Sequence, residues 1–65
     1  MNIKTELIST FMQKYGITKN KLSILCNISR RHTDNLLKNS KNTTLYTIYQ
    51  VAKLMQINIT DLINQ

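Results

Sequence analysis

At 65 residues the chain has room for one domain with a small core, since a domain near this length buries only about 60% of its unfolded surface. One cysteine, Cys26, excludes an internal disulfide, and one cysteine with one histidine cannot complete a four-ligand zinc site. Nine Lys and Arg against three acids give a formal net charge of +6, while apolar residues at 42% argue against disorder.

The charge is not spread evenly. Lys19, Lys21, Arg30, Arg31, Lys38 and Lys41 all fall within residues 19–41. A cationic stretch centred on one segment points to a polyanionic partner, with an affinity that falls as salt rises. The three acids, Glu6, Asp34 and Asp61, lie on separate predicted helices. No Ser, Cys or His is spaced as a nucleophile with its base, so neither an enzyme nor a cofactor is expected. No long apolar run follows Met1, so no signal peptide or membrane span is expected, and the expected compartment is the cytoplasm.

Proline is absent, glycine occurs once, and apolar residues recur at spacings of three and four. This predicts an all-α bundle of five short helices. The first runs from Ile3 or Lys4 to Tyr15, with a stripe of Leu7, Ile8, Phe11, Met12 and Tyr15. Gly16 suits a left-handed stop, and Thr18 caps the next helix. The second helix is Lys19 to Cys26, with Leu22 and Cys26 inward, Leu25 beside them, a small Ser23, and Ile24 facing away. In the turn Asn27-Ile28-Ser29, Asn27 tolerates a left-handed backbone, Ile28 can plug the corner, and Ser29 is another cap.

The third helix is Arg30 to Lys38. Thr33, Leu36 and Leu37 form its inner face. At 100° per residue the opposite side centres on Arg31, Asn35 and Lys38, flanked by Arg30, His32 and Asp34. Arg30 and Asp34 are spaced for an i,i+4 pair. Asn39 can end this helix, and residues 39–44 form a polar loop. Thr44 caps a fourth helix from Leu45 to about Met55, with Leu45, Ile48, Val51, Ala52 and Met55 inward. Gln56 is a poor residue for a left-handed stop. A short fifth helix runs from Ile59 to Asn64, capped by Asn58 with Asp61 three residues on.

In this register the chain resembles the helix-turn-helix domains of phage repressors, the Cro and lambda-repressor-like or XRE family, from about Lys4 to Ile63. The likeness rests on Gly16-Ile17-Thr18, Leu22, Ile28-Ser29, Leu36 and the whole of Thr44 to Leu62. It departs at Lys19, Ser23, Asn27 and Thr33, where the family usually has Gln, Ala, Gly, and Ile or Val. Family members often pair an Arg at position 12 with an acid at position 37. Met12 and Leu37 replace both, which implies an apolar contact in place of a buried ion pair.

The resemblance implies a sequence-specific, double-stranded DNA-binding transcriptional regulator whose helices 2 and 3 form the helix-turn-helix. The third helix would enter the major groove. Ser29, Arg30, Arg31, His32 and Asn35 would meet bases, since Arg matches the acceptors of guanine and Asn the edge of adenine. Thr18, Lys19, Lys38, Lys41, Asn42 and Thr43 would meet the phosphate backbone. Tyr46 could also reach a phosphate. One helix reads few base pairs, so a homodimer on an inverted repeat is expected, with half-sites about 34 Å apart. Tyr49, Ile57, Ile59 and Ile63 are the candidate dimer surface. The alternative is a protein-interaction module of antitoxin or anti-repressor type, using the face of Ile24.

Overall fold

A computed structural model describes residues 2–64. Five helices follow the predicted order: α1 (Thr5–Tyr15), α2 (Lys19–Cys26), α3 (Arg30–Leu37), α4 (Leu45–Met55) and α5 (Ile59–Leu62). Three start on hydroxyl caps. Thr18, Ser29 and Thr44 accept the backbone N–H of Lys21, His32 and Thr47, each filling one vacancy in the first turn. At α5 the Asp61 carboxylate accepts the Asn58 backbone N–H at 3.2 Å, as the short capping box requires.

Four helices end alike. Gly16, Asn27, Asn39 and Gln56 have φ of 64°, 54°, 55° and 60°. The residue after each sends its N–H back five positions: Ile17 to Met12, Ile28 to Ser23, Ser40 to Asn35 and Ile57 to Ala52. Three of those next residues are isoleucines packed against the core. Gln56 takes the strained backbone despite its type, because the buried flank of Ile57 and the capped start of α5 hold the chain on its far side.

The core is built from fully buried Ile8, Leu22, Leu36, Ile48, Val51 and Leu62, with Ile3, Cys26 and Ala52 nearly so. Several expected stripe residues lie outside it. Leu7, Tyr15 and Leu25 are exposed, and Leu45 is 59% exposed in the first turn of α4, ahead of Ile48. Short helices in so small a bundle bury a narrow stripe, so flanking apolar positions stay wet. Met12 and Leu37 are both half-buried against the core and line one groove with Ile17, on one surface rather than two.

One feature departs from the all-helical reading. Strands β1 (Asn2–Ile3) and β2 (Ile63–Asn64) pair antiparallel, Asn2 opposite Asn64 and Ile3 opposite Ile63. The Lys4 N–H continues the ladder to the Leu62 carbonyl at 2.8 Å. The first helix therefore starts later, and the fifth ends earlier, than their periodicity suggested. Two residues per strand are too few to show alternation in a sequence.

Candidate nucleic-acid interface

The interface is built on α2, α3 and the turn between them. Asn27 closes α2, Ile28 packs inward, and Ser29 at once starts α3. Along α3, Thr33 and Leu36 are fully buried and Leu37 is half-buried. The 3.6-residue repeat then turns Arg30, Arg31, His32 and Lys38 outward, and all four are exposed. Asn35 and Asp34 are half-buried on the flanks of that ridge. Ser29 is exposed, and its Oγ lies 2.9 Å from His32 Nδ1.

The seam between α2 and α3 is polar at one point. The hydroxyls of Ser23 and Thr33 meet at 2.7 Å in the interior. Ser23 Oγ also lies 3.0 Å from the Lys19 carbonyl, and Thr33 Oγ1 lies 3.2 Å from that of Ser29. Two protons serve three contacts, so one hydroxyl donates to the other while the second donates to its own helix. The two positions where the family usually has apolar residues are therefore partners, and the inward hydroxyl of Thr33 is satisfied. Sequence spacing shows both as small polar residues on facing helices, but not that they meet.

Asp34 pairs with Lys19 of α2, Nζ to Oδ1 at 3.5 Å, and this is the only ion pair among the described residues. The i,i+4 spacing suggested Arg30 instead. Asp34 sits at the α2–α3 seam, where the first residue of α2 is within reach. Lys19 is exposed and Asp34 only half-buried, so solvent screens the pair and it contributes little stability. Arg30 and Arg31 keep their charge free of carboxylates among the described residues.

Beyond α3, Lys38, Lys41 and Asn42 are exposed, as is Thr18 at the start of α2. Asn42 is ordered by its backbone N–H on Ser40 Oγ at 3.1 Å. Thr43 is corrected from the phosphate-contact set. It is 7% exposed and its hydroxyl is buried with no partner among the described residues, so its side chain does not reach the surface. The loop folds inward there because the Thr43 N–H bonds the Ser40 carbonyl.

Gln50 is a brace that sequence reasoning missed. Its Nε2 donates to the Cys26 carbonyl at 2.9 Å and to the Tyr46 hydroxyl at 3.1 Å, tying α4 to the end of α2. The Tyr46–Gln50 spacing of four was a legible signal; the distant carbonyl was not. Tyr46 itself is exposed and keeps its hydroxyl proton for another acceptor. Cys26 is buried, and burial pushes its thiol pKa up.

On the far side, Tyr49 is exposed and lines a groove with Lys53, Ile57 and Ile59. Ile57, Ile59 and Ile63 are half-buried and packed against the core. Ile24 is 66% exposed. No described helix is long and apolar enough to cross a membrane, and no three His, Cys, Asp or Glu among the described residues could hold a metal ion.

A capped helix whose outward arginines meet no carboxylate among the described residues, with a second helix bracing it from behind, is the geometry of a helix-turn-helix. The family model of the Cro/C1-type HTH DNA-binding domain matches residues 8–64, and the chain belongs to that family. No curated protein and no solved structure matches the chain.

Proposed function

We propose that the chain is a sequence-specific regulator of transcription that lays α3 in the major groove of duplex DNA, working in the cytoplasm as a homodimer on an inverted repeat. The observation that carries this reading is the two-sided build of α3. Thr33 and Leu36 anchor it inward while Arg30, Arg31 and His32 stand exposed and Asn35 lies at their flank. With Ser29, these side chains supply the donors and acceptors that base edges discriminate. Thr18, Lys19, Lys38, Lys41 and Asn42 supply backbone contacts, Lys19 by exchanging the Asp34 carboxylate for a phosphate. The exposed Tyr49 and the half-buried Ile57, Ile59 and Ile63 suit a small dimer contact.

Selection of bound duplexes from a random pool tests this. A palindromic site is expected, with binding that weakens steeply as salt rises. Arg31→Ala should relax one position in each half-site at a cost of about 1–3 kcal/mol. Recovery of no preferred sequence would defeat the reading. It would favour instead an interaction module of antitoxin or anti-repressor type docking through Ile24, whose exposure is the observation behind that alternative.

A further inference from the structure

Asn39 does more than stop α3. Its φ of 55° and its N–H on the Leu36 carbonyl at 3.1 Å close the helix, and glycine would serve equally for that. The side chain adds a second link. Its Oδ1 accepts the Ile3 backbone N–H at 2.9 Å, across 36 positions of sequence. Its Nδ2 lies 3.4 Å from Asn2 Oδ1. Successive N–H groups of a strand point to opposite edges. Here Lys4 bonds Leu62 on one side and Ile3 bonds Asn39 on the other. The ribbon edge that would otherwise be open is thus taken by an amide at the end of α3, and the Ile3 side chain beneath it is buried.

We propose that Asn39 is a positioning residue for the DNA-reading helix. Its side chain ties the end of α3, and the loop bearing Lys38 and Lys41, to the ribbon of residues 2–3 and 63–64. It touches no DNA itself. The N-terminal end of α3 is held by the Ser29 cap and the Ser23–Thr33 contact; the opposite end is seated by buried Leu36, and this hook is its side-chain link to the ribbon. The effect on DNA rests on the proposed function; the tether does not.

Asn39→Gly keeps the left-handed backbone and removes the amide, while Asn39→Asp keeps an acceptor for the Ile3 N–H. In the full chain, amide exchange and backbone chemical shifts are measured beside affinity for a selected duplex and for an unrelated one. In N39G the Ile3 amide should exchange about tenfold faster, and specific affinity should fall about five- to tenfold, as loss of one hydrogen bond implies. Shifts should move across residues 35–41. Affinity for unrelated DNA should change less than about twofold, because phosphate attraction does not depend on fine alignment. N39D should restore protection at Ile3. Unchanged exchange at Ile3 in N39G overturns the proposal. So does a uniform acceleration at every amide with the ratio of specific to unrelated binding intact, or a failure of N39D to restore Ile3. If the unsubstituted chain prefers no duplex, the DNA reading is what fails, and exchange and shifts still decide the tether.

Discussion

α3 is entered and left through two asparagines of nearly equal backbone, Asn27 at φ 54° and Asn39 at φ 55°. Behind each, the next N–H reaches back five residues. The two ends are nevertheless built differently. After Asn27 comes Ile28, packed on the core, and then the cap Ser29, so the turn is complete in three residues. After Asn39 comes Ser40, which offers no apolar plug, and α4 starts only at Leu45. At the entry the buried hydroxyls of Ser23 and Thr33 meet each other, while at the exit that of Thr43 has no partner among the described residues. A left-handed residue ends a helix in either case. At the entry the residue after the asparagine locks the turn by burial, and at the exit the asparagine's own side chain makes the link, to the Ile3 N–H.

The sharpest way to break this contrast is to remove the plug. Ile28→Ala should lower stability by about 2 kcal/mol, against about 0.5 kcal/mol for Ser40→Ala, as read from urea unfolding midpoints. Equal losses would mean that burial does not lock the entry. Next, Ser23→Ala should cost about 1 kcal/mol by removing one hydroxyl of the interior pair. The double variant Ser23→Ala/Thr33→Val should return to within about 0.5 kcal/mol of the original, and a strictly additive cycle would show that the hydroxyls are not coupled.

At the exit the sign reverses. Thr43→Val should raise stability by about 1 kcal/mol, because it replaces a buried orphan hydroxyl with a methyl of similar shape. A loss there would reveal a hydrogen bond that the fold conceals. The smallest effect belongs to Cys26 at the entry, whose thiol pKa is raised by burial. The unfolded chain then releases that proton first. Stability from this group is complete below its ordinary value of 9.0 and declines as pH climbs toward the raised value. Cys26→Ala should flatten that decline relative to the original chain in unfolding measured from pH 7 to pH 10, and parallel curves would remove the thiol from the account.

Much of the fold was open to a reader of the sequence. Thr18, Ser29, Thr44 and the Asn58–Asp61 pair announce helix starts, and Gly16 and Asn27 announce stops, because capping acts within a few neighbouring residues. The outward turn of Ile24, Arg30, Arg31 and Lys38 comes from the helical repeat alone. Other positions misled. Leu7, Tyr15 and Leu45 fit an inner stripe by spacing yet lie outside the core, since a repeat marks a face without saying how wide its neighbour is. Thr43 sits in a polar loop yet is buried. The ribbon of β1 and β2 was too short to leave a pattern.

Sequence by itself determined the five helices, most of their caps and stops, and the cationic side of α3, because capping and helical periodicity act within a few neighbouring residues. The stop at Gln56 was held by packing. Tertiary structure alone decided which polar groups meet. Ser23 with Thr33, Lys19 with Asp34, Gln50 with the Cys26 carbonyl and Asn39 with the Ile3 amide come from separate elements. Each donor had other acceptors of the same chemistry along the chain. Packing of the core brought one on a separate element within reach of a hydrogen bond or ion pair.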